Sequence, residues 1–175
     1  MRRALAMMFL TLSAFAQSPP SSQLASACGS KDVSFGVNLD LTRHNLASPE
    51  PGKARVYFIQ DDGSWGDHEH YVLKIGLDGT WIGAYKQNSY FTVSAAPGEH
   101  HVCARVQSRY SVGRLLALVR FTAESGKTYY FRTRFLGGMP GIGTTPQYVE
   151  LDPVDSDEAQ YLMASDPLSV SQAKK

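Results

Sequence analysis

The stretch "LDGTWIGAYKQNSYFTVSAAPGEHHVCARV", residues 77–106, decides how the rest of the chain is read. Asp78-Gly79 can take the positive φ values of a primed hairpin turn, and Pro97-Gly98 supplies the fixed φ and the permissive residue of a type II turn. Between and beyond these turns stand "TWIGAY" (80–85), "YFTVSA" (90–95) and "HHVCARV" (100–106), short runs rich in β-branched and aromatic residues. Both turns predict antiparallel neighbours on either side.

The same pattern extends outward in both directions. "VSFGVNL" (33–39), "ARVYFIQ" (54–60), "HYVLKIGL" (70–77), "LLALVRFTA" (115–123), "TYYFRTRF" (128–135) and "QYVEL" (147–151) alternate in polarity and are separated by "DDGSWGD", "ESGK" and the glycine-rich "GGMPGIGTTP". Short strands joined by regular turns imply a sandwich or barrel rather than a parallel sheet. One helix is predicted late in the chain, with Ser156 or Asp155 as cap, Asp157 and Glu158 in its first turn, and Pro167 to stop it.

Alternation assigns faces. Val102, Ala104 and Val106 share the face taken as core, so His101, Cys103 and Arg105 point to the other. Tyr129, Phe131 and Phe135 form an apolar face opposite Tyr130, Arg132 and Arg134. Arg105, Arg132 and Arg134 would gather into a basic patch for carboxylates or phosphates if their strands were neighbours; the simpler expectation is a solvated face of alternating charge.

Arg2 and Arg3 precede the apolar run "ALAMMFLTLSAF", which ends at Ala14-Phe15-Ala16, the pattern of a secretory signal peptide occupying residues 1–16. Cleavage after Ala16 lowers the basic count from 17 to 15 by removing Arg2 and Arg3, against 16 acidic residues. That balance argues against nucleic acid as a partner. No later segment reaches membrane-spanning length, so a soluble or peripherally attached product is expected. Residues 17–31 read as a flexible segment, with "QSPPSSQLASA" offering nothing to pack, residues 32–165 as the β-sandwich, and residues 166–175 as a disordered tail.

In an oxidising compartment Cys28 and Cys103 are expected to join, pinning the N-terminal segment across the outside of a sheet or along its edge. The chain-entropy model gives such a loop on the order of 4 kcal/mol. The alternative for Cys28 is lipid attachment, since "LASAC" loosely resembles a lipoprotein cleavage site, although its leucine lies one place too early.

The histidines carry a metal alternative. His68 and His70 share a strand face and flank Glu69, with Asp67 beside them and His100 as a further ligand, a donor set suited to zinc or copper. Their spacing matches no established zinc motif, and exposed polar chemistry at strand ends is the competing reading. No nucleophile elbow, H-E-x-x-H or phosphate loop is present, so the chain is read as non-enzymatic and without cofactor. Trp65 and Tyr110, in the loops 61–69 and 108–114, are candidate contact residues, as is the 137–146 loop.

The order "GKARVYFIQ", "LDGTWIGAYKQNSYFTVSAAPGEHHVC", "ESGKTYYFRTRF" and "VELDPVDSDEAQYLM", spanning about residues 51–165, resembles the exported bacterial proteins of domain-of-unknown-function family 2846. The resemblance implies a sandwich of prealbumin-like or PEGA type, often in lipoproteins or envelope proteins, and brings no catalytic residues. It implies structural roles for Gly79, Gly98, Gly126, Tyr129 and Phe131. Together with the pattern of strands it leads to a single antiparallel β-sandwich, immunoglobulin or prealbumin-like, of about seven to nine strands with one short C-terminal helix. The functional expectation is an envelope, periplasmic or secreted module that binds a protein, glycan or envelope component, with a periplasmic metal-binding protein as the alternative.

Overall fold

The structure, a computed structural model, describes residues 27–29, 32–42, 46–60, 71–107, 115–136 and 148–175. Ten strands and one helix are described: β1 Phe35–Asp40, β2 Ala54–Gln60, β3 Val72–Leu77, β4 Thr80–Lys86, β5 Ser89–Ala95, β6 Gly98–Gln107, β7 Leu116–Ala123, β8 Thr128–Leu136, β9 Tyr148–Val154, α1 Ser156–Met163 and β10 Leu168–Ala173. They form a six-stranded sheet, β1-β10-β5-β2-β8-β9, and a four-stranded sheet, β4-β3-β6-β7. The protein is an all-β sandwich.

The core lies between the sheets and is built from alternate residues of each strand. Val56 and Phe58 of β2, Leu73 and Ile75 of β3, Val102 and Ala104 of β6 and Phe131 of β8 are almost completely enclosed. Alternation in β6 follows the expected faces: Val102, Ala104 and Val106 pack inward while Arg105 is exposed. Two hydroxyls set deep in this core are paired. The Thr133 hydroxyl donates to the Ile59 carbonyl at 3.1 Å, which leaves its oxygen to accept from the Tyr85 hydroxyl at 2.7 Å.

Asp78 (φ 49) and Gly79 (φ 80) both take positive φ and turn β3 back into β4 as a primed hairpin. Pro97-Gly98 does something other than expected. It joins β5 of the six-stranded sheet to β6 of the four-stranded sheet, because β5 pairs along its length with β2 and β6 pairs with β3. The turn therefore changes layer and makes no hairpin. The six-stranded sheet is also mixed: β2 runs parallel to β8, and β10 parallel to β5.

The C-terminal tail was expected to be disordered and is instead β10. Leu168–Ala173 pairs residue by residue with β1, and Ser169 and Ser171 turn their hydroxyls toward β4, the edge of the other sheet. The alternation in "LSVSQA" is inverted, Ser169 being buried and Val170 exposed, so its strand is held by these tertiary partners rather than by an apolar face. The sandwich accordingly runs past residue 165. Near the other terminus Ala27 and Cys28 are buried against Trp81 and Leu116, where a flexible segment with nothing to pack was expected. The predicted signal peptide lies outside the described residues.

Helix α1 begins as the sequence directs. The Asp155 carboxylate accepts from the amides of Asp157 (2.9 Å) and Glu158 (2.8 Å), capping two amides that the helix itself leaves free. Ala159 and Met163 then pack on Tyr57, Ile59 and Tyr90, covering part of the outer face of the six-stranded sheet.

Candidate functional site

Cys28 and Cys103 are joined, with Cα atoms 5.2 Å apart, on the outer face of the four-stranded sheet. A Cβ on Gly76 would come within 2.6 Å of the Ala27 carbonyl oxygen, so only glycine lets the N-terminal segment lie this close to β3. With its sulfur in the disulfide, Cys28 has no thiol left for a lipid. Beside the bridge Lys74, only 3% exposed, forms an ion pair with Asp32, donates to the Val33 carbonyl at 3.0 Å and lies 4.5 Å over the Trp81 ring. The hydrogen bond from Lys74 is the largest cause holding the Asp32 carboxyl below its usual range. Gln107 receives the end of the segment, accepting from the Phe35 amide at 2.6 Å and donating to its carbonyl at 2.9 Å.

The three arginines do not gather. Arg105 sits on β6, in the four-stranded sheet, whereas Arg132 and Arg134 lie on the outer face of β8, in the six-stranded sheet. Arg105 is the cross-strand neighbour of Lys74, and both cations act on Asp32. Arg132 donates to Glu158 at 3.1 Å, and Arg134 donates to Glu150 at 3.1 Å and Asp152 at 2.8 Å. These are the alternating charges of a solvated face. The layered fold puts two packed sheets between the members of the supposed patch.

His100 is not positioned as a ligand. Its Nδ1 is 2.6 Å from Asp78 Oδ2 and its Nε2 is 2.7 Å from the Ala96 carbonyl, so both ring nitrogens face acceptors and both are used in tying two turns together. Burial works against the charged ring but is outweighed by the Ala96 carbonyl and the Asp78 carboxylate, which raise its pKa above the ordinary value. Among the described residues no cluster of three or more histidine, cysteine, aspartate or glutamate side chains could hold a metal ion. His68, Glu69, His70, Asp67, Trp65 and Tyr110 lie outside the described residues.

A groove of 340 Å³ opens at the side of the sandwich where β7 of one sheet faces β8 and β9 of the other. Its walls include Phe121, Tyr129, Tyr130 and Pro153, with Arg120 and Asp155 at its rim. The rings are held by one another. Phe121 lies 5.2 Å from both Tyr129 and Phe131, and Tyr130 stacks on Tyr57 at 5.3 Å. The Tyr129 hydroxyl accepts from the Glu124 amide at 3.0 Å. Burial raises the pKa of Tyr130, so its phenol stays neutral. Such walls receive aliphatic or aromatic groups. Sequence reading did not assemble this site. The alternation in "LLALVRFTA" and "TYYFRTRF" marks the residues, but the stacking of β7 beside β9 is a property of topology.

The family model described as protein of unknown function DUF2846 matches residues 50–145, and the chain belongs to that family. None of the curated proteins and none of the solved structures matches the chain. Among the described residues no helix is long and apolar enough to cross a membrane.

Proposed function

We propose that this member of the DUF2846 family is a non-enzymatic binding module, exported to the periplasm or cell exterior, whose contact surface is the groove between β7, β8 and β9. The observation that carries the reading is the groove itself: mutually locked aromatic walls with a charged rim, on a rigid sandwich, make a surface that binds with little ordering cost. Export is supported by the leader-like pattern of residues 1–16 and by the joined cysteines, which suit an oxidising compartment.

Two experiments test the reading. Intact mass spectrometry of the exported protein is expected to give a chain beginning at Gln17, two hydrogens light and without lipid; a retained leader or a lipid adduct contradicts the export and anchoring parts of the proposal. Titration of apolar peptides and envelope glycan fragments is expected to shift the ring resonances of Phe121, Tyr129 and Tyr130. Silence of those rings across the panel contradicts the binding surface.

A further inference from the structure

Among the described strands four are edges, β1 and β9 of the six-stranded sheet and β4 and β7 of the four-stranded sheet. At an edge, every second residue turns its amide and carbonyl away from the sheet, and such groups pair with another chain unless blocked. The other three edges each carry a device against pairing, which on β1 and β9 covers one outward position. On β4 the outward amides of Ala84 and Lys86 each donate to a serine hydroxyl of β10, Ser171 and Ser169, at 3.1 Å. On β1 the Gln107 carboxamide holds both backbone groups of Phe35. On β9 Pro153 lacks an amide at an outward position.

β7 has no such device. The amide of Val106 donates to the Leu115 carbonyl, which sets the phase of the β6–β7 ladder: Ala117, Val119 and Phe121 bond inward to β6, and Leu118, Arg120 and Thr122 point their backbone groups outward. Among the described residues nothing bonds to those outward groups. No proline, bulge or inward charge interrupts the strand, and Leu118 is 44% exposed. The aromatic groove lies beside this edge, on the inward side of Val119 and Phe121.

We infer that β7 is a strand-addition site, and that its partner is an extended segment of another polypeptide with apolar residues alternating with carboxylates. The inference rests on the groove being the binding surface. A strand added to β7 places its alternate side chains on the groove side, where the walls are apolar and aromatic, and the others on the outer face. That outer face is basic near the edge: Arg120 stands on β7 directly across from His101, with Arg105 farther along β6. Glu99 lies 3.8 Å from Arg120 and 4.0 Å from His101, while Arg105 acts on Asp32. Charge also decides between occupants. A second copy paired antiparallel through β7 would set one Arg120 near the other, whereas a segment carrying glutamate or aspartate at those positions meets a cation.

The test is amide exchange on the full chain, followed by NMR, with a capped nine-residue peptide of alternating valine and glutamate as probe. Slowed exchange at Leu118, Arg120 and Thr122, with ring shifts in Phe121 and Tyr129, supports the inference. Arg120→Glu, a substitution on an exposed side chain, is expected to weaken the peptide on the order of fivefold, and lysine in place of the probe's glutamates to do the same. Probe methylated on its ladder amides is expected to lose the protection. Ring shifts without protection of the three amides overturn strand addition and leave the groove as binding surface, while silence in both overturns the two together. Protection that rises with protein concentration in the absence of peptide assigns the edge to a second copy and also overturns the inference.

Discussion

At β4 the outward amides of Ala84 and Lys86 meet serine hydroxyls, whereas at β7 the outward groups of Leu118, Arg120 and Thr122 meet no described residue. Both strands are edges of the same four-stranded sheet, and both expose the same backbone chemistry. The difference lies in what the rest of the chain brings to them. On the β4 side, β1 and β10 carry the six-stranded sheet past the edge and lend it two hydroxyls, with Ser89 Oγ 2.7 Å from Ser169 Oγ holding one in place. On the β7 side the corresponding neighbour is β9, which ends in Pro153, Val154 and the Asp155 cap, and the space between is the groove. Among the described residues one side is finished by the chain itself and the other is not.

The largest expected effect comes from releasing the segment that leads into the closed side. Replacing both Cys28 and Cys103 with serine is expected to cost on the order of 4 kcal/mol, measured by urea denaturation against the oxidised parent. An effect near zero would mean that the segment is held without its bridge. A proline scan then sets the two edges against each other. Lys86→Pro removes an amide that donates to Ser169 and is expected to cost about 2 kcal/mol, whereas Thr122→Pro removes an outward amide and is expected to stay within about 0.5 kcal/mol. Equal costs would erase the distinction.

Ser169→Ala takes the hydroxyl and leaves the amide, and is expected to cost about 1 to 2 kcal/mol by the same denaturation measurement. The smallest effect concerns pH. The folded-state pKa of His100 is raised, so its contribution is full below the unfolded value and fades as pH rises through the folded one. His100→Gln is therefore expected to lose most stability against the parent near pH 5.5 and progressively less at alkaline pH, in thermal melts across that range. A gap that widens toward alkaline pH would contradict the pairing with Asp78 and Ala96.

The same contrast separates what the sequence made legible from what it did not. Local chemistry was readable: Asp78-Gly79 as a primed turn, Asp155 as a helix cap, Val102, Ala104 and Val106 as one buried face, Cys28 with Cys103 as a bridge across the outside of a sheet. Each of these is fixed by residues close in the chain or by a unique pairing of two cysteines. Strand order was not readable. It is strand order that puts Arg105 on the opposite outer face from Arg132 and Arg134, makes Pro97-Gly98 a change of layer, and turns the polar residues after Pro167 into β10. The groove belongs to the same class, because Phe121, Tyr129 and Pro153 meet only when β7, β8 and β9 come to one side. Lys74 was hidden for a related reason: a lysine in a strand reads as exposed, and its burial depends on Asp32 crossing over from the N-terminal segment.

The most direct measurement is native-state amide exchange of the protein alone, comparing the outward amides of the two edges. The account predicts that the Ala84 and Lys86 amides are protected to the level of the neighbouring ladder while those of Leu118, Arg120 and Thr122 exchange as open edge amides. Equal protection at both edges of a monomeric sample would contradict it.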